Sequence, residues 1–384
     1  MALKNNTWKL NQWYAQKIAG NVSYNAVKTL FGWGNNQVGQ LAVNDRTLRS
    51  SPTQIPGTTW NGISEGGSGA TGTSLMLTKT DGTLWVVGSP HNGGLGLNNT
   101  STYCSSPTQI PGTTWGTVIC VGGYNASAIK TDGTLWSWGS NEDGVLGVGN
   151  ATNYSSPVQI PGTTWSKIKS NGKSRSAIKT NGTLWMWGAG DGGNTGQNNN
   201  SHYNSPRQIP GTTWSDIGGG NEYATAIKTD GTLWAWGYND YGQLGQGTQG
   251  PSSQRSSPIQ IGTDTTWSSV SAAHFVTFGL KTDGTLWAWG ANPWGQLGQN
   301  NTTQYSSPVQ IGSDTTWSKI RAHHKSGTGL KTDGSLWSWG YNNKGQLGLN
   351  DIINYSSPVQ VPGGWNSTIT MGGNKLGTVV IGNV

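Results

Sequence analysis

Histidines come first among the residues of this sequence that could do chemistry, because imidazoles bind metals and transfer protons. His274 and the His323–His324 pair occupy matching places in two neighbouring sequence units, each directly after an alanine. Such a placement brings imidazoles together at an inner strand, as a metal site requires. No carboxylate or cysteine recurs beside them. The pattern therefore favours polar residues at a strand end over metal ligands.

Five aspartates occupy one repeated position, and a ring of carboxylates would suit acid–base catalysis. They are Asp81, Asp132, Asp230, Asp283 and Asp333. Each stands before a glycine between two strand-like runs, where Asp-Gly predicts a type I′ hairpin turn with positive φ at both central residues. The turn accounts for the carboxylates, and no Ser-His-Asp arrangement, phosphate loop or calcium loop stands out. We therefore expect no catalytic site, no cofactor, no metal and no enzyme activity.

Aromatic residues outside the recurring phrases are the candidates for contact with a partner. Trp294 stands in a variable loop, where other units carry Asp-Tyr, including Tyr241, or Asn-Lys. Five tyrosines recur just before a Ser-Pro strand and suggest a rim, although packing within the sheet is the favoured interpretation. These are Tyr103, Tyr154, Tyr203, Tyr305 and Tyr355. Trp8 and Trp13, in the opening segment, are the candidate anchor.

The elements that carry these residues are internal repeats, which three recurring phrases reveal. The first Trp of Leu-Trp-x-Trp-Gly recurs every 49 to 54 residues, counting the variants at Phe31 and Trp85. A Ser-Pro phrase and a Thr-Thr-Trp phrase recur equally often, and the last copy of the Thr-Thr-Trp phrase is the variant Gly364-Trp365. Each phrase appears seven times, so the chain contains seven units.

Each unit contains four short strand-like runs, which is the content of one propeller blade. We therefore predict an all-β fold, a seven-bladed β-propeller of four-stranded antiparallel blades. The C-terminal half-unit ends in an extra copy of one strand region, up to Ile381. We expect it to join the first Leu-Phe-Gly-Trp-Gly segment in one blade, so that strands from both termini close the ring. Residues 1–25 are then an N-terminal arm or outer strand, and residues 26–384 form the propeller.

The net charge of +7 equals the number of lysines at one repeated position. These are Lys28, Lys79, Lys130, Lys179, Lys228, Lys281 and Lys331. We expect the charge to be spread around a ring, and nucleic-acid binding is not expected because blocks of basic residues are absent. The polar opening segment predicts synthesis in the cytoplasm without a signal peptide, and no membrane insertion. Cys104 and Cys120 have neither metal-site nor disulfide-framework spacing.

The phrase Leu-Trp-Ser-Trp-Gly-x-Asn-x-x-Gly-x-Leu-Gly at 135–147 resembles the repeat of the regulator of chromosome condensation family. The resemblance extends from Phe31 to Ile381 and implies a propeller fold, but a propeller is a scaffold whose faces serve many functions. The family's founding members are chromatin-bound exchange factors for a small GTPase. The wedge-like insertion and acidic contacts of those members have no counterpart here. The near-uniform units are similar to bacterial and phage versions, which are commonly surface, secreted or virion proteins.

The sequence favours a non-enzymatic structural or binding propeller. A composition rich in Gly, Asn, Ser and Thr, with 10% charged residues, is typical of exposed adhesins. We therefore predict a phage virion surface or tail-associated protein that mediates attachment through other virion proteins or a host receptor, a glycan included. An intracellular interaction or regulatory propeller, exchange-factor-like or chromatin-binding, is the alternative. A lectin-like glycan-binding propeller is a further alternative, and the partner and binding face stay open.

Overall fold

The recurring phrases form antiparallel strands in the computed structural model of the protein, which describes residues 29–64, 74–363, 365, 370–374 and 377–382. The candidate anchor residues Trp8 and Trp13, with the whole 1–25 segment, lie outside the described residues. Within the described ranges, no helix is long and apolar enough to cross a membrane.

The regular structure consists almost entirely of short strands. In chain order they are β1 (Thr29–Gly34), β2 (Arg49–Ile55), β3 (Trp60–Ile63), β4 (Ser74–Lys79), β5 (Leu84–Gly88), β6 (Cys104–Ile110), β7 (Trp115–Val121), β8 (Asn125–Lys130), β9 (Leu135–Gly139), β10 (Tyr154–Ile160), β11 (Trp165–Ser170), β12 (Ser174–Lys179), β13 (Leu184–Gly188), β14 (Tyr203–Gln208), β15 (Trp214–Gly219), β16 (Tyr223–Lys228), β17 (Leu233–Gly237), β18 (Arg255–Gln260), β19 (Trp267–Ala273), β20 (Val276–Lys281), β21 (Leu286–Gly290), β22 (Tyr305–Gln310), β23 (Trp317–Ala322), β24 (Ser326–Lys331), β25 (Leu336–Gly340), β26 (Tyr355–Gln360), β27 (Thr370–Asn374) and β28 (Gly377–Gly382). The described residues also contain three short 3-10 helices, at His91–Gly93, Asp191–Gly193 and Pro251–Ser253.

These strands assemble into seven four-stranded antiparallel sheets. Six sheets use four consecutive strands each, from β3–β6 through β23–β26, and the remaining sheet has the order β2-β1-β28-β27. In that sheet β1 pairs with β28, from Leu30 opposite Ile381 to Gly34 opposite Gly377. The first and last described segments of the chain therefore lie in one sheet. The prediction of an all-β propeller with four-stranded antiparallel blades is confirmed.

In the six sheets built from consecutive strands, the central hairpin turns at the predicted position but with a different geometry. At Asp132-Gly133 only the glycine has a positive φ, of 78°, and its N–H donates to the Lys130 carbonyl oxygen at 3.0 Å. This is a type I turn followed by a left-handed glycine, as in three-residue hairpin loops. The predicted type I′ turn is therefore wrong. Asp132 instead uses its side chain, which accepts hydrogen bonds from the Thr134 N–H and hydroxyl at 2.9 and 2.7 Å.

The two recurrent tryptophans of each unit pack edge to face within the sheet. The ring centroids of Trp115 and Trp136 lie 6.3 Å apart at 76°, and the Trp136 Nε1–H donates to the Thr134 hydroxyl at 2.9 Å. The Lys130 ammonium stands 4.9 and 4.3 Å from the two ring centroids. The described lysines of the repeated position all stand over such a pair, namely Lys79, Lys130, Lys179, Lys228, Lys281 and Lys331. The tryptophans thus shape the repeated sites that these lysines occupy.

Neighbouring sheets are joined by equivalent main-chain hydrogen bonds. The loop after the third strand of one sheet donates an N–H to the outer strand of the next, for example from Asn98 to the Ser155 carbonyl oxygen at 2.8 Å. The other six donor and acceptor pairs are Asn44 to Ser105, Gly149 to Asn204, Asn198 to Ser256, Gly247 to Ser306, Asn300 to Ser356 and Asn350 to Ser50. A buried tryptophan strengthens most of these junctions, as where Trp33 Nε1–H donates to the Gln346 carbonyl oxygen at 3.0 Å.

Candidate protein-binding face

One edge of the sheets collects residues in which the sequence units differ. Here the turn after each innermost strand lies beside the loop that follows the Leu-Trp-x-Trp-Gly strand. A repeated main-chain hydrogen bond holds the turn and the loop together, for example from Tyr341 N–H to the Lys325 carbonyl oxygen at 2.9 Å. This edge is termed the loop face and is defined by the turn residues Tyr124, Lys173, Glu222, Phe275 and Lys325 and the loop residues His91, Asp143, Asp191, Tyr241 and Trp294.

Aromatic side chains pair across two neighbouring junctions of the loop face. Tyr241, which is 40% exposed, stacks on Phe275 with ring centroids 4.6 Å apart. Trp294, which is 37% exposed, lies 4.8 Å from Tyr341, and the Lys325 ammonium stands 5.2 Å from the Trp294 ring centroid. These five residues are termed the aromatic sector. Trp294 and Tyr241, the two loop residues singled out from the sequence, thus lie on the same face.

Carboxylates gather elsewhere on the same face, in a group termed the acidic sector. Its members are Glu142, Asp143, Asp191, Glu222 and Asp240. A cavity of about 340 Å³ opens there, lined among others by Tyr124, Glu142 and Lys173. Burial raises the pKa of Glu222, Lys173 opposes that shift, and three neighbouring aspartates of the sector raise the pKa further. Glu222 therefore lies within electrostatic reach of these three aspartates, and such a group of carboxylates suits basic groups of a partner.

The five rim tyrosines lie at or just before the start of outer strands and do not join the aromatic sector. Four of them open an outer strand, namely Tyr154, Tyr203, Tyr305 and Tyr355. The Tyr355 hydroxyl donates to Asp351, four residues earlier, at 2.8 Å, and an asparagine takes that place in the other three. Tyr103 is 46% exposed and has the Arg46 guanidinium 5.3 Å above its ring. These contacts brace the loop that precedes each outer strand.

The histidines do come together, as their spacing suggested. The ring centroids of His274 and His324 are 3.9 Å apart, while His323 is buried and bonds the Thr328 hydroxyl at 3.1 Å. Burial, with the nearby Arg321 charge, lowers the pKa of His323 to about 3. In the part of the chain that the structure describes, no group of three His, Cys, Asp or Glu side chains could hold a metal ion. Both Cys104 and Cys120 are free thiols.

The innermost strands carry a charged group that the sequence analysis missed, termed the inner cluster. It comprises Lys167, Lys169, Asp216, Lys319 and Arg321. The Lys167 ammonium lies 2.9 Å from a carboxylate oxygen of Asp216. These charges lie on inner strands, apart from the lysines of the repeated position, which stand over the tryptophan pairs of their own sheets. A signal was present, since Lys or Arg stands two and four residues after the Trp in both Trp-Ser-Lys-Ile-Lys and Trp-Ser-Lys-Ile-Arg.

Known protein families match the repeats of this chain. The model of the regulator of chromosome condensation (RCC1) repeat matches residues 132–170, 230–280, 283–326 and 333–371, and a second model of the same description matches residues 214–243. The human E3 ubiquitin-protein ligase HERC2 is 32% identical over 127 residues, which are 32% of this chain and 2% of that protein. The human X-linked retinitis pigmentosa GTPase regulator is 24% identical over 132 residues, or 32% of this chain and 12% of that protein. The chain therefore spans a small part of these relatives.

Solved structures share the fold over nearly the whole chain. Prp20p from Saccharomyces cerevisiae matches with a TM-score of 0.81 at 18% identity, covering 94% of this chain and 92% of that chain. Human WBSCR16 matches with a TM-score of 0.80 at 18% identity, covering 93% of this chain and 99% of that chain. At such identities the likeness concerns the fold alone.

Proposed function

Because the chain belongs to the regulator of chromosome condensation (RCC1) repeat family, we propose that it is a protein-binding propeller that contacts its partner through the loop face. One observation carries the proposal: Tyr241 and Trp294 stand exposed on one face, each in contact with an aromatic ring of the next unit. Large aromatic side chains lose little conformational entropy on binding and bury much surface, so they dominate protein interfaces.

Variation among otherwise similar units supports the same face. The place of Trp294 is taken by Tyr241 in the preceding unit and by Lys344 in the following one. By contrast, the paired tryptophans and the Asp-Gly turn recur with little change. Each unit of a repeat protein must keep the residues that stack it on its neighbours. The stacking of the units therefore does not determine the residues that differ from unit to unit on this exposed face, which leaves them free to contact a partner.

The chemistry of the loop face indicates what the partner presents. The aromatic sector suits an apolar protein surface, and the acidic sector on the same face suits lysines or arginines beside it. Among the relatives, Prp20p is known for its binding properties to Gsp1p and histones, and Kap60 is bound to yeast RCC1 (Prp20). These relatives support a protein partner and favour an intracellular interaction or regulatory role, the alternative weighed from the sequence.

Capture of the partner from the natural source, followed by quantitative mass spectrometry, tests the proposal. We expect Trp294→Ala and Tyr241→Ala each to reduce capture about tenfold or more, as for interface hot spots. Tyr103→Ala is the matched control, because Tyr103 is 46% exposed and lies outside the aromatic sector. Undiminished capture by the two sector variants, or an equal loss with the control, would show that the loop face is not the contact surface.

The virion setting predicted from the composition stays a prediction. On this prediction the protein is part of extracellular phage particles, which assemble in the cytoplasm and are released by lysis. Mass spectrometry of purified particles against cell lysate tests this setting. Enrichment in particles would support a virion surface or tail role for the loop face, whereas confinement to the lysate would reject it and leave the intracellular version.

We also propose that the seven sheets are the blades of one closed ring. Two features support this: β1 pairs with β28, and the hydrogen bond from Asn350 to Ser50 matches those at the other junctions. A proline at Val380 would remove a ladder hydrogen bond inside the sheet that the two ends share. In a closed ring Val380→Pro lowers the melting temperature of the whole protein. In an open array, the same variant leaves the melting temperature of the other six sheets unchanged.

A further inference from the structure

We propose that four of the repeated lysines bind the aspartate or glutamate side chains of an acidic peptide, at the edge of the sheets opposite the loop face. Each of these lysines ends a strand, and β8, for example, runs from Asn125, next to the loop-face residue Tyr124, to Lys130. The surface is therefore separate from the loop face and independent of the function proposed for it. The four residues, termed the open lysines, are Lys79, Lys130, Lys179 and Lys228.

Two further units show how a carboxylate reaches a lysine at this position. The Lys281 ammonium lies 2.5 Å from an oxygen of Asp264, and Lys331 lies equally close to Asp314. Both aspartates belong to the turn that precedes the first strand of their sheet, β19 or β23. A segment of peptide can therefore place an aspartate against this ammonium. Lys281 and Lys331 are termed the closed lysines.

Among the described residues, none of the ion pairs includes an open lysine. Asp264 stands three residues before Trp267, and a glycine takes that place in the units of the open lysines. A Cβ atom added to one of these glycines, Gly162, would lie 3.3 Å from the Lys179 ammonium nitrogen. This point of the turn thus faces the ammonium, and the four units hold glycine where a carboxylate side chain would attach. The glycines are Gly57, Gly112, Gly162 and Gly211.

The hairpin carboxylate does not replace that partner. Asp230 follows Lys228 by two residues, and its Oδ1 accepts hydrogen bonds from the Thr232 N–H and hydroxyl at 2.9 and 2.6 Å. The Thr232 hydroxyl is the main cause that lowers the pKa of Asp230, whereas the Lys228 charge contributes less. In the unit of Lys179 the turn holds Asn181 instead. Of the described sites, the one at Lys179 is therefore the least compensated.

The tryptophan pair, rather than a carboxylate, fixes the position of the ammonium. The Lys228 ammonium stands 5.0 and 4.1 Å from the two ring centroids of its pair. The closed lysine Lys281 stands 4.9 and 4.1 Å from the equivalent centroids. The two ammonium groups thus take the same position with and without an ion-pair partner, because the attraction of a cation to the ring faces holds both. A cation that is already in place loses little conformational entropy when a carboxylate binds.

The space beside an open lysine can admit an acidic side chain. A cavity of about 340 Å³ lies beside Lys228 and is lined by Gln197 and both tryptophans, among others. The cavity beside Lys281 measures about 470 Å³, has the matching lining residues, and includes Asp264. Of the described residues that line the cavity at Lys228, none is an aspartate or a glutamate. The two cavities are thus equivalent, but the chain supplies a carboxylate to the one at Lys281.

The partner of the closed lysines indicates the class of ligand. There the carboxylate belongs to an aspartate on a peptide backbone, and the hydrogen bond from a lysine to a carboxylate is charge-assisted. One partly exposed ion pair contributes little free energy of binding, so a partner needs several acidic side chains. Because the site recurs from unit to unit, such a partner can engage more than one open lysine, and the effective concentration then raises the overall affinity.

Nuclear magnetic resonance of the full-length protein with isotope-labelled indoles tests each site separately. The probe is a short peptide of alternating aspartate and serine, and the control peptide has asparagine at every aspartate. The reporters at open lysines are the Nε1–H groups of Trp185 and Trp234. Trp287, which lies beside a closed lysine, is the internal control. We expect the aspartate peptide to shift the two reporter signals and not the Trp287 signal, and the asparagine peptide to shift none.

Substitutions at matched positions of the repeat show whether the lysine is responsible. Lys228→Met should weaken the binding reported by Trp234 about fivefold, as for a partly exposed ion pair, and leave the Trp185 response unchanged. Lys281→Met is the matched control, because it removes the lysine at the same repeat position that already has a partner. It should leave both responses unchanged, and an equal loss in the two variants would overturn the proposal.

Asp264→Asn is the reverse test, because it removes the carboxylate partner of Lys281. The Trp287 signal should then begin to respond to the aspartate peptide. A Trp287 signal that stays silent in this variant contradicts the proposal, as does an equal response of all three indoles in the unchanged protein.

An oligogalacturonide of the same charge is the last probe, because it carries its carboxylates on sugars. If it binds more tightly than the aspartate peptide and depends on the same lysines, the ligand is an acidic glycan and the peptide assignment is wrong. Trp294→Ala should leave these responses unchanged, so a failure of this proposal and a failure of the loop face are distinguishable.

Discussion

The ammonium group of Lys281 lies 2.5 Å from a carboxylate oxygen of Asp264, in a position where it also covers the two tryptophans of its unit. The same pair recurs in the next unit between Lys331 and Asp314. The other five units have Pro-Gly where these two have a turn containing aspartate. A lysine between tryptophan rings is thus common to the units, while its ion pair belongs to two of them.

Acid should weaken this ion pair within a defined pH range. The hydrogen bond from Lys281 is the main cause that lowers the pKa of Asp264 from 3.8 to about 2. A depressed pKa in the folded state stabilises the protein above the unfolded value, and that stabilisation is lost as the pH falls from about 4 to about 2. We expect Asp264→Asn to cost at most about 1 kcal/mol at neutral pH, since the pair is partly exposed.

Thermal melts at pH values on either side of this range check the prediction. In Asp264→Asn, the melting temperature should fall less between about pH 4 and about pH 2 than in the unchanged protein. Asp143→Asn, which changes a carboxylate of the acidic sector instead, should show the same fall as the unchanged protein. If the melting temperature of Asp264→Asn fell in acid as much as that of the unchanged protein, the ion pair would not contribute to stability.

Replacement by alanine should destabilise the protein more at a hairpin glycine than at a turn glycine that has space around it. Both Gly82 and Gly262 have positive φ, of 76° and 59°. A Cβ atom on Gly82 would lie 2.1 Å from the Thr113 carbonyl oxygen, whereas a Cβ on Gly262 would have nothing within 4 Å. Gly262→Ala should therefore cost about 1–2 kcal/mol from backbone strain alone. Gly82→Ala should cost clearly more, and urea unfolding midpoints of the two variants will show whether the order is as stated.

The threonine after each Asp-Gly turn links that turn to a tryptophan. The Thr134 hydroxyl donates to Asp132 and accepts the Trp136 Nε1–H. In the last such turn Ser335 makes the same two contacts. Thr134→Ser should therefore be nearly neutral. Thr134→Val keeps the shape but loses both hydrogen bonds, with an expected cost of about 1–3 kcal/mol. Equal urea unfolding midpoints for Thr134→Ser and Thr134→Val would contradict the role given to the hydroxyl.

Protonation of His323 in the unfolded chain should oppose folding at mildly acidic pH. Burial lowers the pKa of His323 from 6.5 to about 3. Below about pH 6.5 the His323 imidazole therefore binds a proton in the unfolded state but not in the folded state, and the stability of the fold falls as the pH drops. His323→Gln keeps a polar side chain without this titration. Its melting temperature should depend less on pH between 7 and 5 than that of the unchanged protein, and parallel pH profiles would refute the assignment.

The sequence predicts the fold well because the fold rests on periodic features. The spacing of Trp136, Trp185 and Trp234 marks equivalent strands, and the structure places each ring at the same point of its sheet. Asp-Gly predicts where the hairpin turns. It does not predict the turn type, because the extra side-chain hydrogen bonds of Asp132 stabilise a type I turn with one left-handed residue.

The aromatic sector and the inner cluster were predictable to different degrees. Trp294 and Tyr241 stand out as departures from the repeat, so the sequence identifies them, but their contacts with Tyr341 and Phe275 come from the next unit and need the structure. The inner cluster was missed because Lys167 and Lys319 are 152 residues apart by their numbers. Periodicity assigns both lysines to inner strands. It does not say that strands from separate sheets surround one space.

The edge-to-face tryptophan pairs give the protein an optical property. In six units the centroids of the paired rings lie 6.1 to 6.4 Å apart at 74° to 84°. At that separation we expect the electronic transitions of the two indoles to couple, and each fixed pair to contribute a circular dichroism couplet. Because every pair repeats the same arrangement, the couplets add in sign. The intensity of this signal should therefore rise with the number of units that hold their native geometry.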